Sequence, residues 1–334
     1  MSIDVVRAAA GRIHAYTRKF GIRNVVITLK GGDPLIAGKS WFREAVPEIR
    51  KAVGDASELT LALITDGDLL DEGWIDLFRE FGILVSIHIE NGRGLNAMRS
   101  LELVQGLGRH FGGILYAIHP AEDGLTIYRD LLAIGINRMD FLLPAQYNWD
   151  HPPPAHLESK TPYADYLIPI FDEWWREPDG AVSVRLFESL LELIVGSRNY
   201  VDGLGGDPVT TAVIESDGSI VSLDTLRACA GSMTQVKKSV FADSIYSLYA
   251  QPVFKKLVSE QESLCAICKS CALHDTCGGG PLPTRYSSLR MLDSPSVLCA
   301  DLWRFISHII AACDTSGDSL VRVPGPALAA TVPS

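Results

Sequence analysis

The sequence predicts an α/β protein with a parallel sheet or partial barrel in its first half and an irregular, cysteine-rich region in its second half. Between residues 3 and 143, short apolar runs alternate with helical segments, the pattern of parallel βα units. Four of the seven cysteines are crowded into residues 265–277. A chain of 334 residues that is 47% hydrophobic can bury a large core.

Start and stop signals place the elements of the first half in order. The first helix is predicted from the capping Ser2 to Gly21. Buried strands are predicted at NVVITL (24–29), LTLALIT (59–65), ILVSIHI (83–89), GILYAIH (113–119) and MDFLLP (139–144). Helices are predicted near 40–53, 70–80, 95–109 and 123–134. These segments make five strands separated by helices, as in a parallel sheet.

The second half shows no regular alternation of predicted strands and helices. The proline-rich segment 148–162 has the composition of a linker. Helices follow near 163–176, 183–196 and 299–312, and a hairpin turns at Asp217-Gly218. The predicted organisation is a barrel-like domain (1–150), a linker with bridging helices (151–198), a cysteine-rich domain (199–315) and a flexible tail (316–334).

Charge and hydropathy exclude several classes of function. The net charge of −10 argues against nucleic acid as the main partner, because phosphate binding needs a basic surface. No apolar run reaches the roughly 18 residues that a membrane span needs. The N-terminal segment has no signal-peptide pattern. We therefore expect a cytoplasmic protein without a membrane or nucleic-acid partner.

The cysteine spacing indicates a metal site. The pattern is Cys265-x2-Cys268-x2-Cys271-x5-Cys277, with Cys299 further along and Cys229 and Cys313 outside it. Clustered cysteines in a reducing compartment are more often metal ligands than disulfides. Zinc ribbons pair two Cys-x2-Cys units across a spacer, so this spacing favours an iron–sulfur cluster, with zinc and free or paired thiols as alternatives. The glycines after Cys277 let the backbone approach the centre closely.

The segment CKSCALHDTCGGGPLPTRYS, with PSVLCADL after it, resembles the C-terminal SPASM region of radical SAM peptide-modifying enzymes, and most closely the FxsB-like subgroup. Further matches in order are GGDPL (31–35), WDHPP (149–153), PYADYL (162–167), VRLFESLLELIVG (184–196) and ESDGSIVSLDTL (215–226). The resemblance implies a partial TIM-like (β/α) barrel that lacks its first strand, joined to a SPASM-type domain.

By the same resemblance, Cys268, Cys271, Cys277 and Cys299 would hold one auxiliary [4Fe–4S] cluster. Cys265 and Cys229 match no ligand position, and Cys313 is expected to be a buried small hydrophobe. Two ligands of the family's other auxiliary cluster are replaced, by Leu223 and Pro281. The resemblance therefore implies a single auxiliary cluster.

The family's radical chemistry requires a Cys-x3-Cys-x2-Cys loop whose cluster binds and cleaves S-adenosylmethionine, and no cysteine precedes Cys229 here. Gly31, Gly32, Asp33 and Pro34 match a family motif that contacts the S-adenosylmethionine amino group, and Ser86 matches another family position. S-adenosylmethionine thus stays a candidate cofactor, although the missing loop argues against it. For the GGDP segment, a plain strand-to-helix turn is the alternative.

By the resemblance, Asp224 matches an acid of the family that acts as a proton acceptor; the alternative, which the residues themselves favour, is an aspartate that caps or closes the hairpin after Asp217-Gly218. Three functions follow. The first is a degenerate, peptide-binding or accessory component of ribosomal-peptide maturation. The second is an active radical SAM oxidoreductase whose N-terminal loop is missing from the sequence, and the third is an enzyme on the inherited barrel without radical chemistry. The expected partners are a peptide and, at the uncovered apolar edge of NVVITL, a partner protein or a second copy.

Overall fold

Six parallel strands form the main sheet and follow one another in chain order across it. The structure is a computed structural model that describes residues 1–54, 57–90, 101–154, 159–177, 180–197, 203–205, 211–221, 224–229, 237–248 and 264–315. The strands are β1 (Asn24–Leu29), β2 (Glu58–Thr65), β3 (Ile83–Ile89), β4 (Phe111–Ala117), β5 (Arg138–Leu142) and β6 (Ser183–Val184). Parallel strands in sequential order require a crossover between each pair.

The larger helices lie between these strands and after them. They are α1 (Ile3–Phe20), α2 (Lys39–Val53), α3 (Glu72–Glu80), α4 (Leu101–Leu107), α5 (Gly124–Ala133), α6 (Pro162–Arg176) and α7 (Arg185–Ile194). The remaining elements are the hairpin β7 (Val213–Ile214) and β8 (Ile220–Val221), the short helices α8 (Ala266–Lys269) and α9 (His274–Cys277), and α10 (Cys299–Thr315). Among the helices that the structure describes, none is both long and apolar enough to cross a membrane.

Local signals fix α1 where the sequence predicted it. The Ser2 side chain accepts a hydrogen bond from the Val5 N–H, and Gly21 ends the helix in the left-handed conformation (φ 65°). The apolar face of α1 packs against the hairpin, where Val5 and Ala9 contact the buried Ile220. The predicted turn of that hairpin at Asp217-Gly218 is confirmed, with β7 and β8 antiparallel on either side.

One face of the sheet contributes its side chains to the hydrophobic core. Leu61, Leu63, Val85 and Ile87 alternate with half-buried residues along β2 and β3 and are almost completely buried among the helices. The five predicted strands are confirmed, but the sheet has a sixth. The predicted helix near 183–196 was wrong at its start, because Ser183–Val184 pair with β5 before α7 begins.

The C-terminal helix shares the core of the sheet. Phe305 of α10 packs against Phe171 of α6 and Phe187 of α7, with ring centroids 6.2 and 5.7 Å apart. Asp301 of α10 accepts hydrogen bonds from the Tyr163 and Ala164 N–H groups at the start of α6 (2.8 and 3.0 Å). The cysteine-rich region is therefore anchored directly to the sheet-bearing half.

The segment around residue 148 is held firmly rather than free. Asn148 is fully buried and donates from Nδ2 to the Ala228 carbonyl (2.8 Å). The Trp149 N–H donates to the Tyr286 carbonyl (2.9 Å). The proposed domain boundaries stay a prediction. The predicted tail (316–334), the N-terminal part of the predicted 95–109 helix and Leu223 lie outside the described residues.

Candidate cysteine cluster and strand-end site

Five of the seven cysteines lie close enough for their charges to affect one another. Cys265 ends the loop before α8, Cys268 lies on α8, Cys271 follows it, Cys277 ends α9 and Cys299 begins α10. Cys265 and Cys268 are buried, Cys271 and Cys277 are half-buried, and Cys299 is exposed. Each of the two short helices is a single turn closed by two backbone hydrogen bonds. In α8 these run from the Lys269 N–H to the Cys265 carbonyl (3.1 Å) and from the Ser270 N–H to the Ala266 carbonyl (3.2 Å).

The acidities of the thiols show how they are grouped. Burial raises the pKa of the Cys268 thiol to about 12, with the neighbouring Cys265 and Cys277 adding to the rise. Burial also raises the pKa of Cys277 to about 11, and the charges of Cys299 and Cys271 raise it further. The pKa of Cys299 is raised as well: the residue is exposed at the surface, but its sulfur is partly desolvated by the surrounding protein, and the charges of Cys271 and Cys265 add to the rise. The group therefore includes Cys265, for which the sequence offered no role.

Glycines bring the backbone up to this group. Gly278, Gly279 and Gly280 all have positive φ angles (60°, 88° and 80°). A Cβ at Gly279 would lie 2.6 Å from Leu264 Cδ2, so the leucine would have to move, and the φ of 88° itself favours glycine. The Gly279 N–H donates to the Cys277 sulfur and opposes the rise in the pKa of that thiol. This agrees with the close approach that the Gly-Gly-Gly run predicted.

A buried arginine completes the group, and the sequence reading did not single it out. Arg285 is 1% exposed and donates from Nη2 to the Leu292 carbonyl (2.9 Å). Its positive charge lowers the pKa of both Cys268 and Cys277, against the larger effect of burial. The only sequence signal was its place in the Arg-Tyr-Ser motif. A fixed cation beside thiols favours their deprotonated form.

The donor set fits an iron–sulfur cluster. Such clusters are held by cysteine thiolates, and thiols with raised pKa values give up their protons when a metal centre stabilises the thiolate. No group of three His, Cys, Asp or Glu side chains among the described residues is already arranged to hold a single metal ion.

The cysteines outside the group have ordinary environments. Cys313 lies on α10 and packs against the main core, as expected of a small hydrophobe, but it is half-buried rather than buried. Cys229 is half-buried, and burial followed by the charge of Asp150 raises its pKa to about 11. Neither thiol is in an environment that activates it as a nucleophile.

The turn after β1 contains Gly31, Gly32, Asp33 and Pro34. Asp33 Oδ1 accepts from the Leu35 N–H (2.7 Å), and its Oδ2 accepts from Thr65 Oγ1 (2.7 Å) at the end of β2. Burial, with a contribution from Asp66, raises the pKa of the Asp33 carboxyl. A Cβ on either glycine would meet nothing within 4 Å, so the turn is open above the strand ends.

Ser86 and Asp224 lie elsewhere. Ser86 is inside β3, paired in register with Ile64 and Gly113. Among the described residues, no hydrogen bond or ion pair joins it to the turn after β1. Asp224 begins a short 3₁₀ turn, Asp224–Ala228, which packs against the Leu282–Arg285 turn next to the cysteine group.

The fold and these groups define an α/β protein with a parallel sheet, an open turn at its strand ends and a thiol-rich centre packed beside it. The chain is 22% identical over 329 residues to a serine-type anaerobic sulfatase-maturating enzyme of Klebsiella pneumoniae, covering 90% of this chain and 79% of that enzyme. It is 23% identical over 279 residues to the cysteine-type enzyme of Clostridium novyi, covering 77% and 73%. No protein-family model matches the chain.

Solved structures share the fold. The structure of native anSMEcpe with bound AdoMet and Kp18Cys peptide superposes with a TM-score of 0.81 and 19% identity, over 94% of this chain and 91% of that one. Streptococcus suis SuiB bound to S-adenosylmethionine has a TM-score of 0.54 and 16% identity, over 87% and 69%. These relatives support the resemblance to radical SAM/SPASM peptide-modifying enzymes. The narrower likeness to the FxsB-like subgroup stays a prediction.

Proposed function

We propose that this protein binds a peptide at the carboxyl ends of its strands and carries one auxiliary [4Fe–4S] cluster, as a radical SAM/SPASM-type component of ribosomal-peptide maturation. The observation that carries the proposal is the 0.81 TM-score to a protein whose structure holds both AdoMet and a peptide. The sequence similarity to sulfatase-maturating enzymes supports a polypeptide as the substrate class. Open α/β sheets bind their ligands at the carboxyl ends of the strands.

The proposed cluster ligands are Cys268, Cys271, Cys277 and Cys299. When bound, the cluster would supply a one-electron acceptor or donor beside the peptide. Arg285 offsets part of the thiolate charge, and the Gly279 N–H donates to one sulfur. Cys265 lies next to Cys268 and is proposed to remain a free thiol.

The peptide and S-adenosylmethionine would share the strand-end edge. We propose that the sheet curves as a partial barrel, with helices on its outer side. Gly31, Gly32, Asp33 and Pro34 would offer backbone groups to S-adenosylmethionine, while Ser86 would line the inner face. Asp224 is the proposed proton acceptor, because its turn packs against the residues that follow the cysteine group.

The edge of β1 is the proposed surface for a protein partner or a second copy. Among the described strands β1 pairs only with β2, so its other edge offers backbone groups for strand addition. A charged substitution on this strand, Val26→Lys, should abolish association measured by light scattering. If Val26→Lys and the parent protein associate equally, this assignment is contradicted.

Residues 1–228 contain no cysteine, so residues 1–334 supply no Cys-x3-Cys-x2-Cys ligand set. We therefore propose that the 334-residue protein binds its peptide without cleaving S-adenosylmethionine. A second candidate is an active oxidoreductase whose cluster loop lies outside residues 1–334, and the enzymatic names of the relatives favour it. The two differ in one product, because only the second releases 5′-deoxyadenosine under reducing conditions.

Iron counting after anaerobic reconstitution tests the cluster. The protein should bind about four irons per chain and give a reduced-cluster EPR signal. Cys271→Ala should bring the iron content towards zero, whereas Cys265→Ala and the matched control Cys313→Ala should retain it. Zinc in place of iron, or full iron in Cys271→Ala, would refute the assignment. Formation of 5′-deoxyadenosine by a longer chain that includes the reading frame upstream of Met1 would overturn the accessory role in favour of the second candidate.

A further inference from the structure

A cavity of about 500 Å³ lies between the loop after β4 and helix α6. The residues that matter for its chemistry are Pro120, Glu122, Asp123, Asp165, Tyr166 and Pro169. The loop 118–123 leaves the carboxyl end of β4, so the cavity opens at the edge where parallel α/β sheets bind ligands. Neither the cysteine group nor the turn after β1 contributes to its lining.

The hydroxyl of Tyr166 is the feature that points to a ligand. The side chain is 5% exposed, and its hydroxyl oxygen is buried without a hydrogen-bond partner among the described residues. The ring is fixed against α5, because a Cβ at Gly124 would lie only 2.6 Å from Tyr166 Cε1. A buried polar atom left unpaired costs free energy, which a ligand that bonds it would recover.

The surroundings of this hydroxyl carry negative charge. Glu122 accepts a hydrogen bond from Tyr116 Oη (2.7 Å), which leaves its other oxygen free for a ligand. The lining residues include three carboxylates and no lysine or arginine. Arg304 pairs with Asp165 from outside the lining, and the charge of Arg129 contributes to lowering the pKa of Asp123. In the described part of the chain no guanidinium or ammonium lies at salt-bridge distance from Glu122 or Asp123.

The phenol itself stays neutral. Burial, followed by the charges of Tyr116, Glu122 and Asp123, raises the pKa of Tyr166 above its usual range. Its oxygen can therefore accept a hydrogen bond from a donor in the cavity at physiological pH.

The helix N-termini beside the cavity do not favour an anion. Asp123 Oδ1 accepts from the Leu125 and Thr126 N–H groups at the start of α5 (3.2 and 3.4 Å). Asp301 does the same for the first free N–H groups of α6. A carboxylate already occupies each position at which a helix would otherwise bind an anion.

We propose that this cavity binds a primary ammonium group on an aliphatic stem, as in the lysine side chain of a peptide or a free diamine. The ammonium would donate to Tyr166 Oη and to Glu122, and the rings of Pro120 and Pro169 would contact the stem. If the ammonium group belongs to a peptide lysine, this inference deepens the proposed peptide-binding function and rests on it. If it belongs to a free diamine, the inference is independent of that function.

Binding of three small compounds to the 334-residue protein, measured by calorimetry, tests the proposal. Nα-acetyl-lysine methylamide should bind at least about tenfold tighter than Nα-acetyl-norleucine methylamide, because only the former has a charged donor. Putrescine is the third compound. Tighter binding of putrescine than of the lysine derivative supports the cavity and assigns it to free diamines. These affinities are read independently of iron content and of 5′-deoxyadenosine formation, so each proposal can fail alone.

Two variants and a control locate the site. Tyr166→Phe and Glu122→Gln should each weaken lysine-derivative binding about tenfold, since each removes a bond to a charged group. Asp130→Asn, an exposed carboxylate on α5 outside the lining, should leave it unchanged. Tyr166→Phe should melt no lower than the parent, because it removes an unpaired hydroxyl. Equal affinity for the lysine and norleucine derivatives, or unchanged affinity in Tyr166→Phe, would overturn the proposal.

Discussion

The ion pair between Asp140 and Arg185 gives a sharp test of how the strand-bearing half is held together. Asp140 lies on β5 with its side chain 2% exposed, and it accepts from Arg185 Nε at 2.7 Å. Arg185 begins α7, and its side chain is 28% exposed. The pair therefore joins a buried strand to the helix that follows β6.

Replacing Arg185 with methionine keeps an apolar stem but leaves Asp140 as a buried charge without this partner. Breaking a buried pair in this way typically costs about 3–5 kcal/mol. Because Arg185 is partly exposed, water can reach the site, and we expect the lower end, about 3 kcal/mol of unfolding free energy. For a chain of 334 residues that corresponds to a fall in Tm of about 4 °C.

Urea unfolding and thermal melting at neutral pH measure the effect. The matched control is Arg43→Met, whose partner Glu80 lies 2.8 Å away at the surface with both side chains about half exposed. Surface pairs contribute at most about 1 kcal/mol. The double variant Asp140→Asn/Arg185→Met should regain stability relative to Arg185→Met, since no buried charge remains. If Arg185→Met loses no more stability than Arg43→Met, the reasoning is wrong.

Two further predictions concern Glu188 on α7 and Gly113 on β4, the second with a control on α1. Burial, then the charges of Glu192 and Asp140, raises the pKa of Glu188, against the hydrogen bond from Ser183. Because the folded pKa lies above the unfolded one, the stability contributed by the protonated form is fully present below the unfolded pKa and is lost as pH rises through the folded pKa. Glu188→Gln should therefore gain stability over the parent as pH rises, and a melting-temperature difference that does not change with pH would contradict this. Gly113→Ala should lower the free energy of unfolding by about 3 kcal/mol, because φ is 122° and a Cβ would lie 2.8 Å from the Arg138 carbonyl oxygen. The control Gly11→Ala lies on exposed α1, where a Cβ would meet nothing within 4 Å. It should raise the free energy of unfolding, measured in urea, by about 0.5–1 kcal/mol.

Local chemistry made much of the fold predictable. The Ser2 cap and Gly21 stop define α1 because both act through backbone groups within a few residues. The NVVITL strand was predicted with its exact bounds, since apolar β-branched runs of this length seldom form anything else. Strand β6 was missed because a two-residue strand has no period of its own. Its pairing with β5 depends on residues about forty positions away.

The site was predictable only where one motif contained it. The cysteine spacing pointed to a thiol centre, and the structure groups those thiols. The complete burial of Arg285 could not be anticipated, because a charged side chain is expected at the surface. The cavity could not be predicted from the sequence either. Glu122 and Tyr166 are far apart in the sequence and come together only because α5 packs against α6.

Helix α10 connects the cysteine group to the cavity. Its first residue is Cys299, Asp301 caps the start of α6, and Arg304 pairs with Asp165 of the cavity lining. These three residues lie within the first two turns of one helix, so a metal centre that fixes Cys299 also fixes the groups that position α6 and Tyr166. Burial raises the pKa of Asp301, while the Ala164 and Tyr163 N–H groups hold its carboxylate in place. The proposed cluster and the proposed ammonium-binding cavity would therefore depend on the same part of one helix, and such a cluster would affect binding even without electron transfer.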